Sequence, residues 1–195
     1  LDLRARFQTA LNVSWGDTSD QFNTVNGAAV SGVTLDVVAS YVLDYDAARS
    51  FQVRELKYIE PALARADKLF DKRIRDTGKR AATGARLRAD VEGTGIADAD
   101  LIIEAIYENL EAKQSLYEDV QAKMKEGAIL ATNTSSIKLE TLRTVLAAPR
   151  HFVGLHFFNP VAQLPLVEVI HCEDTEQATL DAGLAFVKAI GKNPL

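Results

Sequence analysis

The chain has little that would tie it to a membrane, a nucleic acid or an oxidising compartment. Its single cysteine, Cys172, cannot form an internal disulfide, so nothing requires an oxidising environment. No apolar run approaches the roughly 20 residues of a membrane-crossing helix. No charged-then-apolar leader opens the sequence, which starts at Leu1 rather than Met, as a fragment would. Basic excess is missing too: the net charge of −5 argues against a nucleic-acid partner. These absences predict a cytoplasmic protein with no nucleic-acid and no membrane partner. What is present is ordinary for a globular domain, with 47% apolar and 25% charged residues. At 195 residues one core is expected.

Two regions follow different rules. In residues 1–53 apolar residues alternate, first at Ala5, Phe7, Leu11, Val13 and Trp15, then at Val33, Leu35, Val37, Ala39, Tyr41 and Leu43. Period-two alternation marks half-buried strands, and Asn26-Gly27 fits a turn, so an antiparallel hairpin is expected. A pair of outer-membrane barrel strands alternates the same way, but two segments cannot carry that signal.

Beyond residue 50, helix and strand patterns alternate. Residues 54–76 have helical spacing, with Pro61 implying a kink or a late start. Residues 101–106 form a nearly continuous apolar run, as in a strand covered on both faces. Asn109 can cap the next helix and Gly127 can end it. Further strands are expected at 128–131, 152–158 and 164–170, with a short helix at 139–147. A last helix should start at Asp174, where Gln177 completes a capping-box pattern, and end at Gly191. Such alternation predicts an α/β fold, a mostly parallel sheet with helices on both faces.

Polar groups interrupt this framework at strand ends, where open α/β sheets bind ligands. They are Glu108-Asn109, Asn133-Thr134-Ser135-Ser136, His156 with Asn159-Pro160, and Glu168. Taken singly, Asn-Thr-Ser-Ser is more often a turn, and a lone His in an apolar strand is more often a hydrogen-bonded core residue. Glu168 between four aliphatic residues is harder to dismiss, because a buried carboxylate needs a partner. His156 is the nearest titratable candidate, and a carboxylate-held imidazole is a general base in the making.

Four motifs now stand in order: Asp100-Leu101-Ile102-Ile103-Glu104-Ala105-Ile106-Tyr107-Glu108-Asn109-Leu110, Ala131-Thr132-Asn133-Thr134-Ser135-Ser136, Gly154-Leu155-His156-Phe157-Phe158-Asn159-Pro160, and Leu166-Val167-Glu168-Val169-Ile170. Over residues 54–195 the chain resembles the 3-hydroxyacyl-CoA dehydrogenases of fatty acid β-oxidation, above all those fused to an enoyl-CoA hydratase. The resemblance implies a Rossmann-like doubly wound sheet and oxidation of a 3-hydroxyacyl-CoA substrate to 3-oxoacyl-CoA with NAD. It implies His156 as catalytic base, Glu168 as the group that orients it, and Ser135 as hydrogen-bond partner of the reacting oxygen. It implies Glu108, Lys113 and Asn159 as NAD contacts, and a homodimer or a multifunctional complex as the assembly. The nine Lys and Arg between Arg65 and Arg88 read either as a solvated face or as contacts to CoA phosphates.

The sequence also departs from that family. No G-x-G-x-x-G loop lies in residues 1–53, and Val53 stands where the ribose-binding acid belongs. Gly93-Thr94-Gly95 lacks the third glycine and follows charged residues rather than a buried strand. The sheet is therefore expected to be incomplete at its N-terminal half, with 1–53 a β-rich segment of unrelated character and 54–195 a partial NAD-binding domain. The family's all-helical C-terminal domain is likewise outside these 195 residues. A non-catalytic fragment or chimera, keeping at most acyl-CoA binding, is the competing expectation.

Overall fold

The computed structural model describes residues 9–12, 49–52, 56–85, 87–158, 161 and 164–195. In chain order the elements are β1 (Thr9–Asn12), β2 (Arg49–Gln52), α1 (Leu56–Arg73), α2 (Thr77–Ala85), β3 (Leu87–Ala89), β4 (Leu101–Glu104), α3 (Leu110–Gln121), β5 (Ile129–Thr132), α4 (Leu139–Leu142), β6 (Phe152–Phe157), β7 (Leu166–Ile170), α5 (Gln177–Ala189) and β8 (Asn193–Pro194). The strands form one sheet in the order β3-β2-β1-β4-β5-β6-β7-β8. Pairing is parallel from β3 through to β6, antiparallel between β6 and β7, and parallel again at β8. The order 3-2-1-4-5-6 reverses direction between β1 and β4, which is the doubly wound arrangement.

Period two sends alternate residues of each strand to opposite faces. Leu101 and Ile103, Ile129 and Ala131, and Val153, Leu155 and Phe157 pack with Phe70 of α1 and Phe186 and Val187 of α5. Ile102, Leu130 and Phe152 pack with Tyr117 and Val120 of α3 and Leu139 and Leu142 of α4. Both faces are covered, so these strands read as unbroken apolar runs. Each fully buried Leu, Ile or Phe contributes roughly 1.5–3 kcal/mol relative to exposure.

Several expectations need correction. β1 falls within the first alternating run and pairs in parallel with β2, which lies beyond the second run in sequence. β1 also lies inside the sheet, between β2 and β4. The reason is the buried β4 edge, whose N–H and C=O groups would otherwise lack partners. The alternating positions from Val13 to Leu43, with Asn26-Gly27, lie outside the described residues. α1 runs through Pro61 without a break in its helical span. α2 and β3 had no sequence signal strong enough to place them.

Helix ends divide the same way. Asn109 Oδ1 accepts the Ala112 N–H at 2.8 Å, as a cap should. α3 nevertheless ends at Gln121, well before Gly127, whose φ of 76° serves the following turn. α5 starts at Gln177 rather than at Asp174. Asp174 instead accepts from Arg143, 31 residues earlier in the chain.

Candidate active site

β6 and β7 decide the first part of the site. Their antiparallel register sets His156 directly opposite Glu168. Directly paired residues share one face with Cβ atoms about 4.5–5.5 Å apart, close enough for an imidazole to meet a carboxylate. His156 Nδ1 lies 2.7 Å from Glu168 Oε2, and the side chains are 18% and 37% exposed. A neutral His156 that donates from Nδ1 to Glu168 keeps its lone pair on Nε2, the tautomer a general base needs. The Phe158 ring sits against the imidazole, with centroids 4.7 Å apart.

The second part comes from the loops after β4 and β5. Glu108 accepts from the Ser135 N–H at 2.5 Å, the Ser135 hydroxyl at 3.0 Å and the Thr134 hydroxyl at 2.8 Å. Partial burial pushes the Glu108 carboxyl up. The Ser135 N–H, the nearby Lys113 charge and the two hydroxyls outweigh it, and the carboxyl sits below its ordinary value. Asn133 joins the two parts, because its Oδ1 accepts the Phe157 N–H at 2.8 Å while its own N–H donates to the Glu104 carbonyl. The segment leading into the Ser135 turn is thereby tied to β6 at Phe157, the residue after His156.

Sequence reasoning missed the residue beneath these loops. Glu104, 1% exposed, accepts from Lys113 Nζ, Tyr117 OH and Thr132 Oγ1, each at 2.7 Å, and from the Ile106 N–H at 2.6 Å. The Tyr117 phenol is raised far above its ordinary value by burial and by the Glu104 charge, so it is a permanent donor. A signal existed, since Glu104 interrupts an aliphatic run just as Glu168 does. Lys113 is buried with it. Asn159 lies outside the described residues.

In this architecture a nucleotide occupies the crevice at the carboxyl ends of the strands, where the order reverses. The part built on β4 and β5 fits such a ligand: carboxylate, amide and hydroxyl groups suited to sugar hydroxyls converge there on a packed base. The sequence that follows β1, Val13-Ser14-Trp15-Gly16-Asp17, holds one glycine where the phosphate fingerprint uses three. The Gly93-Thr94-Gly95 stretch is no substitute. Its Thr94 and Gly95 N–H groups are taken by Asp90, at 2.9 and 2.7 Å.

A family model for the 3-hydroxyacyl-CoA dehydrogenase NAD-binding domain matches residues 28–195. The chain belongs to this family. Relatives include the fatty acid oxidation complex subunit alpha of Pseudomonas entomophila, 38% identical over 141 residues, or 70% of this chain and 20% of the relative. The same-named subunit of Pseudomonas syringae pv. syringae is also 38% identical over 141 residues. The chain thus spans about a fifth of the length of these relatives. Among solved structures, a 3-hydroxybutyryl-CoA dehydrogenase from Escherichia coli K12 superposes with a TM-score of 0.82 at 22% identity, covering 97% of this chain and 38% of that one. A (S)-3-hydroxybutyryl-CoA dehydrogenase from Ralstonia eutropha gives 0.77 at 25% identity, covering 97% and 62%. The Rossmann-like sheet is common to them. The family match begins at residue 28, ahead of the four motifs.

Proposed function

We propose that the protein to which this chain belongs oxidises (S)-3-hydroxyacyl-CoA to 3-oxoacyl-CoA in fatty acid β-oxidation. The observation that carries this reading is the 2.7 Å contact of His156 Nδ1 with Glu168. When bound, NAD supplies the acceptor for the hydride that leaves C3 of the substrate. His156 Nε2 takes the proton of the 3-hydroxyl as that carbon becomes a carbonyl. Glu168 holds the ring in the correct tautomer and stabilises the imidazolium. Ser135 donates to the reacting oxygen, from a turn pinned by Glu108 and Asn133. Glu108 and Asn159 hold the nucleotide, with Lys113 behind them. The dehydrogenase character lies in residues 54–195, which carry all four motifs. The working location is the cytoplasm, as a homodimer or within a multifunctional complex; no helix among the described residues is long and apolar enough to cross a membrane.

The test is NADH formation from NAD and a 3-hydroxyacyl-CoA by the full protein and its His156→Gln variant. Equal turnover in two equally folded proteins rejects the reading. One observation favours a second: with no G-x-G-x-x-G loop in residues 1–53, this chain keeps the fold and at most acyl-CoA binding without holding NAD firmly. Calorimetric titration separates them. Weak or absent NAD binding is the outcome expected of these 195 residues, and low-micromolar affinity would remove the second reading.

A further inference from the structure

Lys192 stands where the local backbone favours an apolar side chain. At the end of α5 the Gly191 N–H donates to the Lys188 carbonyl at 3.0 Å and the Lys192 N–H to the Val187 carbonyl at 3.1 Å. With Gly191 at φ 75°, this pair of bonds is the Schellman ending of a helix. The residue after the left-handed glycine usually packs an apolar side chain back on the last turn. Here it is a lysine, and it is 9% exposed. Taking an ammonium out of water is costly unless protein oxygens replace the lost hydration. Its Nζ donates to the Val161 carbonyl at 2.6 Å and to the Leu164 carbonyl at 3.0 Å.

Both carbonyls lie on the connection from β6 to β7, the two strands that carry His156 and Glu168. The next residue, Asn193, donates its N–H to the Pro165 carbonyl at 2.7 Å as β8 begins. The exit of α5 therefore grips one end of this connection. At the other end, the Phe158 ring lies against the His156 imidazole. Hairpin loops of about two to five residues fix the register of their strands by their own geometry. This connection, residues 158–165, is longer and has to be held from outside. A slip of one residue would send His156 or Glu168 to the opposite face of the sheet.

We propose that Lys192 is a positioning residue for the His156–Glu168 pair: its ammonium clamps the carbonyls of Val161 and Leu164 and so holds β6 and β7 in register. The inference rests on the proposed function only in treating His156 as the base. Its spectroscopic readouts need neither turnover nor cofactor.

The experiment compares the unaltered chain with Lys192→Met, which has a similar length and the apolar character that the position favours. By NMR, the carbonyl carbons of Val161 and Leu164 should move upfield in the variant. The His156 Nδ1–H proton should broaden or lose its downfield shift. The Ile106 amide, bonded to Glu104 in the buried layer, should stay where it is and report an intact fold. In the full protein kcat should fall, by up to about 100-fold, with a smaller change in KM for the 3-hydroxyacyl-CoA. An unmoved His156 Nδ1–H in a variant with a native Ile106 amide would overturn the proposal, even if the variant melts earlier, because that is a purely structural role. Lys192→Gln keeps an N–H donor and serves if the methionine variant fails to fold, and the same two protons decide it. Absence of turnover in the unaltered full protein counts against the functional reading, and the spectra still decide the role of Lys192.

Discussion

Glu104 and Glu168 occupy similar settings in sequence, each the one acid inside an aliphatic strand, yet the fold treats them in opposite ways. Glu104 ends β4 under α3, accepts four hydrogen bonds and is 1% exposed. Glu168 lies in β7 beside the sheet's last short strand, is 37% exposed, and pairs with His156. A carboxylate whose lone pairs are all committed in a dry interior stabilises one arrangement of its donors. A carboxylate on a single imidazole, close to water, can tolerate that imidazole gaining and losing a proton. Similar residues in similar sequence thus become a buried scaffold in one place and half of a partly exposed His–Glu pair in the other.

The widest separation between the two should appear in turnover. His156→Gln in the full protein is expected to lower kcat by about 10²–10⁴-fold while changing stability by about 1 kcal/mol or less. Glu168→Gln keeps a hydrogen bond without the charge and should lower kcat by a smaller factor. Paired kinetics and urea melts check both. A large loss of stability with unchanged kcat per folded molecule would make this dyad a second scaffold.

At Glu104 the balance reverses. Glu104→Ala leaves Lys113 buried without its counter-ion and should cost about 3–5 kcal/mol, read from denaturant midpoints. A cost near zero would mean that water reaches this layer. Next comes the strand between the two regions. An alanine Cβ at Gly154 would meet Ile170 Cβ at 3.0 Å and Leu139 Cδ1 at 3.4 Å. Ile170 Cβ cannot yield without moving the β7 backbone, so Gly154→Ala should cost about 1–3 kcal/mol. Because it strains the register that sets His156 against Glu168, it should also lower kcat, whereas Glu104→Gln should act mainly on stability.

The smallest effect is the response to acid. Burial raises Asp90, but hydrogen bonds from Gly95 and Thr94 bring it below its ordinary value, as the surroundings of Glu108 do for that residue. A carboxyl whose folded value is depressed contributes stability that is complete above its unfolded value and lost as pH falls through the folded one. The loss should therefore begin as pH drops below the ordinary 4.5 of Glu108 and 3.8 of Asp90. Unfolding midpoints across that range, compared with Glu108→Gln and Asp90→Asn, should show a shallower acid slope in each variant. An unchanged slope would mean that neither carboxylate is held as the distances imply.

Much of this was legible before any coordinates. The unbroken apolar runs that become β4 and β5 required cover on both faces, and alternating helices required parallel strands. Asn109 was readable as a cap because a cap bonds within its own turn. Glu168 was readable because charge rarely sits among four aliphatic residues without a partner. Glu104 carries the same signal, but its motif drew attention to Glu108 instead, and its donors lie up to 28 residues away on α3 and β5. Asp174 shows the converse: its local capping pattern was sound, and a distant arginine outcompeted it.

Local spacing thus determined which segments become helix or strand, which faces are apolar and which residue types are available for chemistry, because those properties arise from contacts within a few residues. Tertiary structure alone decided that Thr9–Asn12 enters the sheet beside β4, that His156 and Glu168 fall directly opposite each other, and that Lys113 points inward to Glu104. Each of these depends on register and depth between segments distant in the chain. Register and depth are set by the whole core closing at once, which no single stretch of sequence encodes.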